Sequence, residues 1–247
     1  MEVHAHAHTA RKKWTHYFWE FLMLFLAVFC GFLAEYALEH KIEADREEKY
    51  VRSMLEDLKL DTAGINGIIQ RRTRRIKQID SLFLLLNEPG NGANLSLLYY
   101  YSRLVRRNAS FQFVYNDRTI QQLKNSGGLR LIRNQLVSDK IIQYDGNTRR
   151  IEKIEENEQE AIWELIRHSY KIFDGRIYNK MLNDRDGLDR PSGNPALMPY
   201  TKEDMNAYIS CLHTVKASHG AWIRFSNALL SDAVALLKTI EEEYHFK

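Results

Sequence analysis

One stretch limits every architecture open to this chain. Residues Tyr17 to Leu38, YFWEFLMLFLAVFCGFLAEYAL, form an apolar run long enough to cross a bilayer. Crossing takes about 20 residues at roughly 1.5 Å rise each. A basic, histidine-containing tail precedes the run, and a long charged stretch with helical patterning follows it. The reading is three segments: a cytoplasmic tail over 1–16, a transmembrane helix over 17–38 and an extracytoplasmic helical domain over 39–247.

A cleaved leader is the competing reading of the first segment. Arg11-Lys12-Lys13 and the apolar run fit one, but Leu33-Ala34-Glu35-Tyr36-Ala37 offers no small-x-small cleavage site. Phe29 before Cys30 also spoils a lipoprotein-type box. The expectation is an uncleaved signal anchor. Arg11, Lys12 and Lys13 flank one end of the span and Glu35 and Glu39 the other, so the positive-inside rule puts the N-terminus in the cytoplasm. Trp14, Tyr17 and Trp19 are placed to lie at the inner interface and Tyr36 at the outer one.

The span has one small-residue face. Ala27, Gly31 and Ala34 recur at helical spacing, and such faces let helix backbones approach closely in lipid. Glu20 shares this face and Glu35 stands at its opposite edge. Two readings stay open for the carboxylates: they reach the headgroups, or they face the interior of a homo-oligomeric bundle. His4, His6 and His8 alternate with alanine in the tail, a spacing that chelates divalent metal in extended chain, but no carboxylate or thiolate cluster completes a site.

Beyond the span, apolar residues keep a three-four spacing from Tyr50 to Leu86, the mark of an amphipathic helix. It ends at the breaker cluster Asn87-Glu88-Pro89-Gly90, and Gly64 and Gly67 are candidate hinges. Within it lies the most basic run of the chain, Arg71, Arg72, Arg74, Arg75 and Lys77. This run is either a solvated face paired with nearby acids or a binding surface for an anionic polymer or partner protein. The acidic stretch Glu152–Glu164 could complement it if the two helices pack antiparallel.

A short helix is expected over 96–107, an alternating extended piece at Phe111, Phe113 and Tyr115, and a capped helix from Asp117 to a stop at Gly127-Gly128. A long helix follows from Val137 to Met181, then a proline-containing connection over 183–200. The last helix opens on the box Thr201/Asp204 and carries the cleanest heptad, from Met205 to Tyr244. His219 falls on its apolar stripe and reads as a hydrogen-bonded core residue. The aspartates of 184–189 do not match calcium-loop spacing. The Gly-Gly pair is no phosphate loop, since no Lys-Ser or Lys-Thr follows it.

The expected fold is therefore all-α, one N-terminal transmembrane helix continuous with a periplasmic bundle of long antiparallel helices. Net charge is only +3, so no nucleic-acid partner is implied. Cys30 lies in the span and Cys211 in the domain, which leaves no disulfide framework. No cofactor, metal site or catalytic motif is indicated, and an enzyme is not expected.

Three stretches, KKWTHYFWEFLMLFLAVFCGFLAE at 12–35, REEKYVRSMLEDLKLDT at 46–62 and TIQQLKNSGGLRLI at 119–132, carry a resemblance. By them the chain resembles an uncharacterised family of single-span envelope proteins of the Bacteroidota. The resemblance implies the bacterial inner membrane and brings no catalytic residue. The expected function is a membrane-anchored scaffold or partner-binding protein whose partners are the lipid bilayer and itself or another envelope protein. The alternatives are a periplasmic ligand sensor relaying through the span, or an ion- or proton-conducting oligomer using Glu20 and Glu35.

Overall fold

The structure is a computed structural model that describes residues 13–87, 94–106, 112–184 and 187–246. His4, His6, His8 and Arg11-Lys12 of the tail, the Pro89-Gly90 breaker, Phe111 and Asp186 lie outside the described residues. The chain divides into two units, Met1–Lys49 and Tyr50–Lys247. Helix α1 covers Trp14–Leu86, and its residues up to Lys49 belong to the first unit.

In the first unit α1 exposes its apolar residues, Phe21, Leu24, Val28 and Phe32 among them. This part is long and apolar enough to cross a membrane, and none of its most apolar stretch is buried.

The second unit holds the rest of α1 with α2 (Leu95–Arg106), α3 (Arg118–Asn125), a 3-10 turn (Gly128–Leu131), α4 (Gln135–Ser169), α5 (Gly175–Lys180) and α6 (Lys202–Glu243). Among the described residues there is no strand, only an isolated bridge between Leu182 and Leu188. The core is built on heptads. On α1 the buried residues Val51, Met54, Leu58, Asp61, Ile65, Ile68, Arg72, Arg75, Ile79 and Leu82 alternate three and four, with Asp57 and Leu85 buried beside this stripe. The same alternation runs along α6 from Tyr208 through Leu212, Val215, His219 and Trp222 to Ile240.

Pairing across the helices fixes their directions. Asp61 meets Tyr144 and Arg72 meets Glu158, so α1 and α4 run the same way. Lys59 pairs with Glu241 and Asp80 with Lys216, so α6 runs against α1. Asn134–Glu243, Gln143–Asp232 and Trp222–Glu155 set α6 against α4 as well. The expectation of antiparallel packing for the basic run of α1 and the acidic stretch of α4 is thus corrected: the two helices are parallel. The Glu152–Glu164 stretch nevertheless meets the basic run, because parallel helices bring 72 level with 155–158.

Local chemistry explains most boundaries. Thr201 and Asp204 form the expected reciprocal cap of α6. Asn134 caps α4 by accepting from the Val137 amide at 3.1 Å. Gly127, at φ +65°, stops α3. Asp117, read as a side-chain cap for α3, makes no cap hydrogen bond.

The expected helix from Val137 to Met181 is also corrected, since α4 ends at Ser169. The Ile172 and Phe173 amides both turn back to the Ser169 carbonyl, and Asp174 restarts the chain as the cap of α5. Gly146 and the hinge glycines Gly64 and Gly67 pass within helices without a break.

Candidate functional site

The basic run of α1 is split by the heptad. Arg72 and Arg75 fall on core positions and are buried, whereas Arg71, Arg74 and Lys77 face outward and are exposed. Only the exposed three are placed on the surface that the run was expected to form; Arg72 and Arg75 serve the core.

Arg72 stands at the centre of a polar layer. Its Nη1 donates to both oxygens of Glu158, at 2.6 and 2.7 Å, and its Nη2 lies 3.6 Å from Glu155. The guanidinium stacks over the Trp222 ring, 4.3 Å from its centroid. Glu155 accepts from the Trp222 indole N–H at 2.8 Å and from the Phe113 amide at 2.9 Å. His219 Nδ1 lies 2.9 Å from Glu158 Oε1 and 3.0 Å from Arg72 Nη1. A proton on Nδ1 satisfies Glu158 and sets the neutral tautomer.

Electrostatics in the layer follow from burial and charge. Burial pushes the Glu158 carboxyl up, but the His219 hydrogen bond and the Arg72 charge outweigh it and hold Glu158 below its ordinary range. Burial dominates at Glu155 and raises it, against its two N–H donors and Arg72. Burial also lowers His219 and keeps its imidazole neutral, against the pull of Glu158. Arg75 is lowered to about 10 by burial, and its Nη1 donates to the Leu104 carbonyl of α2.

The layer divides the core in two. One apolar cluster takes α1 up to Ile68, α4 up to Ile151 and α6 from Trp222 onward. The other takes α1 from Ile79, α4 from Ile162 and α6 up to Val215, with Tyr99, Phe173 and Tyr178. A second polar contact anchors the first cluster. Asp61 accepts from the Tyr144 hydroxyl at 2.7 Å and from the Asn116 amide at 2.8 Å, and burial raises its carboxyl despite these bonds. Of the consecutive Tyr99, Tyr100 and Tyr101 of α2 only Tyr99 is buried. It donates to the Ala196 carbonyl and accepts from the Asp174 amide, so it is structural.

Beside the layer opens a cleft of 620 Å³. Phe113 and Tyr115 line it with Asp117, Glu152, Glu155 and Glu156. Its charged lining is acidic throughout, which suits a cation. Glu155 belongs both to the cleft and to the layer. The cleft was missed by sequence reasoning because its wall is the irregular segment 112–117, held by Asp61 and Glu155 from distant helices.

Among the described residues no cluster of three His, Cys, Asp or Glu could hold a metal ion. His213 is exposed and His219 buried, so the two histidines do not converge. The layer ties three helices together, with Arg72 from α1, Glu155 and Glu158 from α4, and His219 and Trp222 from α6.

In the first unit Glu20, Ala27, Gly31, Ala34 and Glu35 are all exposed. At 3.6 residues per turn they fall within an arc of roughly 100° on one helix face. A side chain added at Gly31 would meet nothing within 4 Å. Glu20 lies 3.3 Å from His16 on the preceding turn. Comparison with family models, curated proteins and solved structures finds no match.

Proposed function

We propose that this chain is a non-enzymatic, membrane-anchored scaffold or partner-binding protein of a bacterial envelope, homo-oligomeric through its span. The observation that carries the reading is the apolar part of α1, where Phe21, Leu24, Val28 and Phe32 all stand exposed. An apolar surface of this extent is covered in a cell by lipid or by another protein. The flanking charges support an N-terminus in the cytoplasm and a periplasmic domain, and the resemblance to the Bacteroidota family supports the inner membrane.

The exposed face of Ala27, Gly31 and Ala34 supports close packing between copies. The test is the mass of the intact protein in detergent or nanodiscs. A defined oligomer that Gly31→Leu converts to a monomer upholds the reading; a wild-type monomer rejects oligomerisation through the span.

A second reading, a periplasmic ligand sensor, is favoured by the acidic cleft. A cation bound there would touch Glu155, which bonds Trp222 of α6 and lies beside Arg72 of α1. Thermal stabilisation of the intact protein by organic amines would support this reading.

A further inference from the structure

The outer faces of α1 and α4 carry opposite charge at the same level. Between Asp61 and Asp80 α1 has no acidic residue, and Arg71, Arg74 and Lys77 point outward there. Arg74 and Lys77 have no carboxylate partner among the described residues. On the outer face of α4 stand Glu156, Glu160 and Trp163, the tryptophan 55% exposed. Glu160 has no cationic partner among the described residues.

The levels follow from the core. Asp61 bonds Tyr144 across a separation of 83 residues and Arg72 bonds Glu158 across 86. Because the helices are parallel, the same separation sets Arg74 level with Glu160 and Lys77 level with Trp163. Both strips also have near-identical helical spacing, three or four residues per step.

The geometry points to a contact between domains of neighbouring copies, in which the Arg71/Arg74/Lys77 strip of one lies on the Glu156/Glu160/Trp163 strip of the next. Two different patches meet, so the contact is heterologous. A rotation axis parallel to the helices preserves the levels, and such a contact closes into a ring when its rotation divides a full turn. Trp163 supplies what charge alone does not: an exposed aromatic face that accepts the Lys77 ammonium and serves as the apolar anchor of the interface. The inference goes beyond the span contact and uses a different surface.

The test uses the full chain in nanodiscs with Cys30→Ser and Cys211→Ser. Copies bearing Gln70→Cys and one tag are mixed with copies bearing Lys153→Cys and another, then treated with a short bismaleimide; both positions are exposed beside the strips and leave Lys77 and Trp163 in place. The expected product is an adduct carrying both tags, at least fivefold above that from two Gln70→Cys copies. Arg74→Glu in the first copy should abolish the excess, and Glu160→Arg in the second should restore it. About 1 M salt, where the screening length is roughly 3 Å, should weaken it.

An adduct no stronger than the control overturns the inference, as does one indifferent to charge reversal. Binding of a soluble polyanion at the α1 strip without the adduct also overturns it. The two readings fail separately. An oligomer by mass with no adduct sinks this contact alone, and an adduct in protein whose mass is unaffected by Gly31→Leu sinks the span face alone.

Discussion

Arg72 and Glu158 are joined by two hydrogen bonds from one guanidinium nitrogen, 2.6 and 2.7 Å long, at the waist of a bundle that buries both side chains. The pair lies where an apolar heptad would place two aliphatic residues. Its worth lies in register: one cation on α1 meets two carboxylates on α4 and the imidazole of α6, and no shifted alignment satisfies all four.

Removing one partner should therefore be far worse than removing both. Arg72→Met leaves Glu158 buried without its cation and is expected to cost about 3–5 kcal/mol. Adding Glu158→Leu should recover most of that loss. Denaturant unfolding followed by circular dichroism measures both, and a double variant as unstable as the single one would refute the argument.

Acid should loosen the layer through His219. Burial lowers its folded pKa below the ordinary 6.5, so the unfolded chain takes up the proton first. Stability is then lost as pH falls below about 6.5. Glu155 acts with the opposite sign, because its raised carboxyl favours the folded state as pH falls. Glu158, held low, contributes stability that is present above its ordinary 4.5 and lost only as pH falls below it. The His219→Gln variant should show a flatter stability profile between pH 7.5 and 5.5 than the parent; equal slopes would exclude His219 as the source.

Asp61 anchors the wall of the cleft as well as α4. Tyr144→Phe removes one of its donors and should cost about 1–3 kcal/mol. Asp61→Ala also frees the Asn116 amide, which should then exchange with deuterium faster than amides of α6. Unchanged protection at Asn116 would mean that another contact holds the segment.

Thr201→Ala should fray the start of α6. Loss of such a cap costs helices about 1 kcal/mol in general. The local readout is faster exchange at the Asp204 amide, which donates to the Thr201 hydroxyl at 3.1 Å. Glu243, at the far end of the helix, should be unaffected.

Helix α6 was legible from end to end, because nearly every core position is apolar and its cap is local. Helix α1 was legible as a helix but not in its facing. Asp61, Arg72 and Arg75 occupy core positions, and a polar residue in an apolar stripe reads as surface unless the three-four phase is carried through it. That phase was the available signal, since it includes 72 and 75 and leaves out 71 and 74. The break after Ser169 was hidden for the opposite reason: Ile162 and Leu165 before it and Ile172, Phe173 and Met181 after it are all apolar and buried. The shared direction of α1 and α4 depends on α2, α3 and the segments between them, and no local pattern encodes it.

Arg72 and His219 are 147 residues apart, and that distance governs the order of assembly. A ribosome must deliver the chain through His219 before the waist can close, and contacts so remote in sequence form slowly. Throughout synthesis the stretch around residue 72 waits without its final partners. Arginines at 72 and 75 carry charge on that waiting helix, where isoleucines would make its stripe continuous from Ile65 to Leu82. The charges buried in the finished core are thus, on the waiting helix, two breaks in an otherwise apolar stripe.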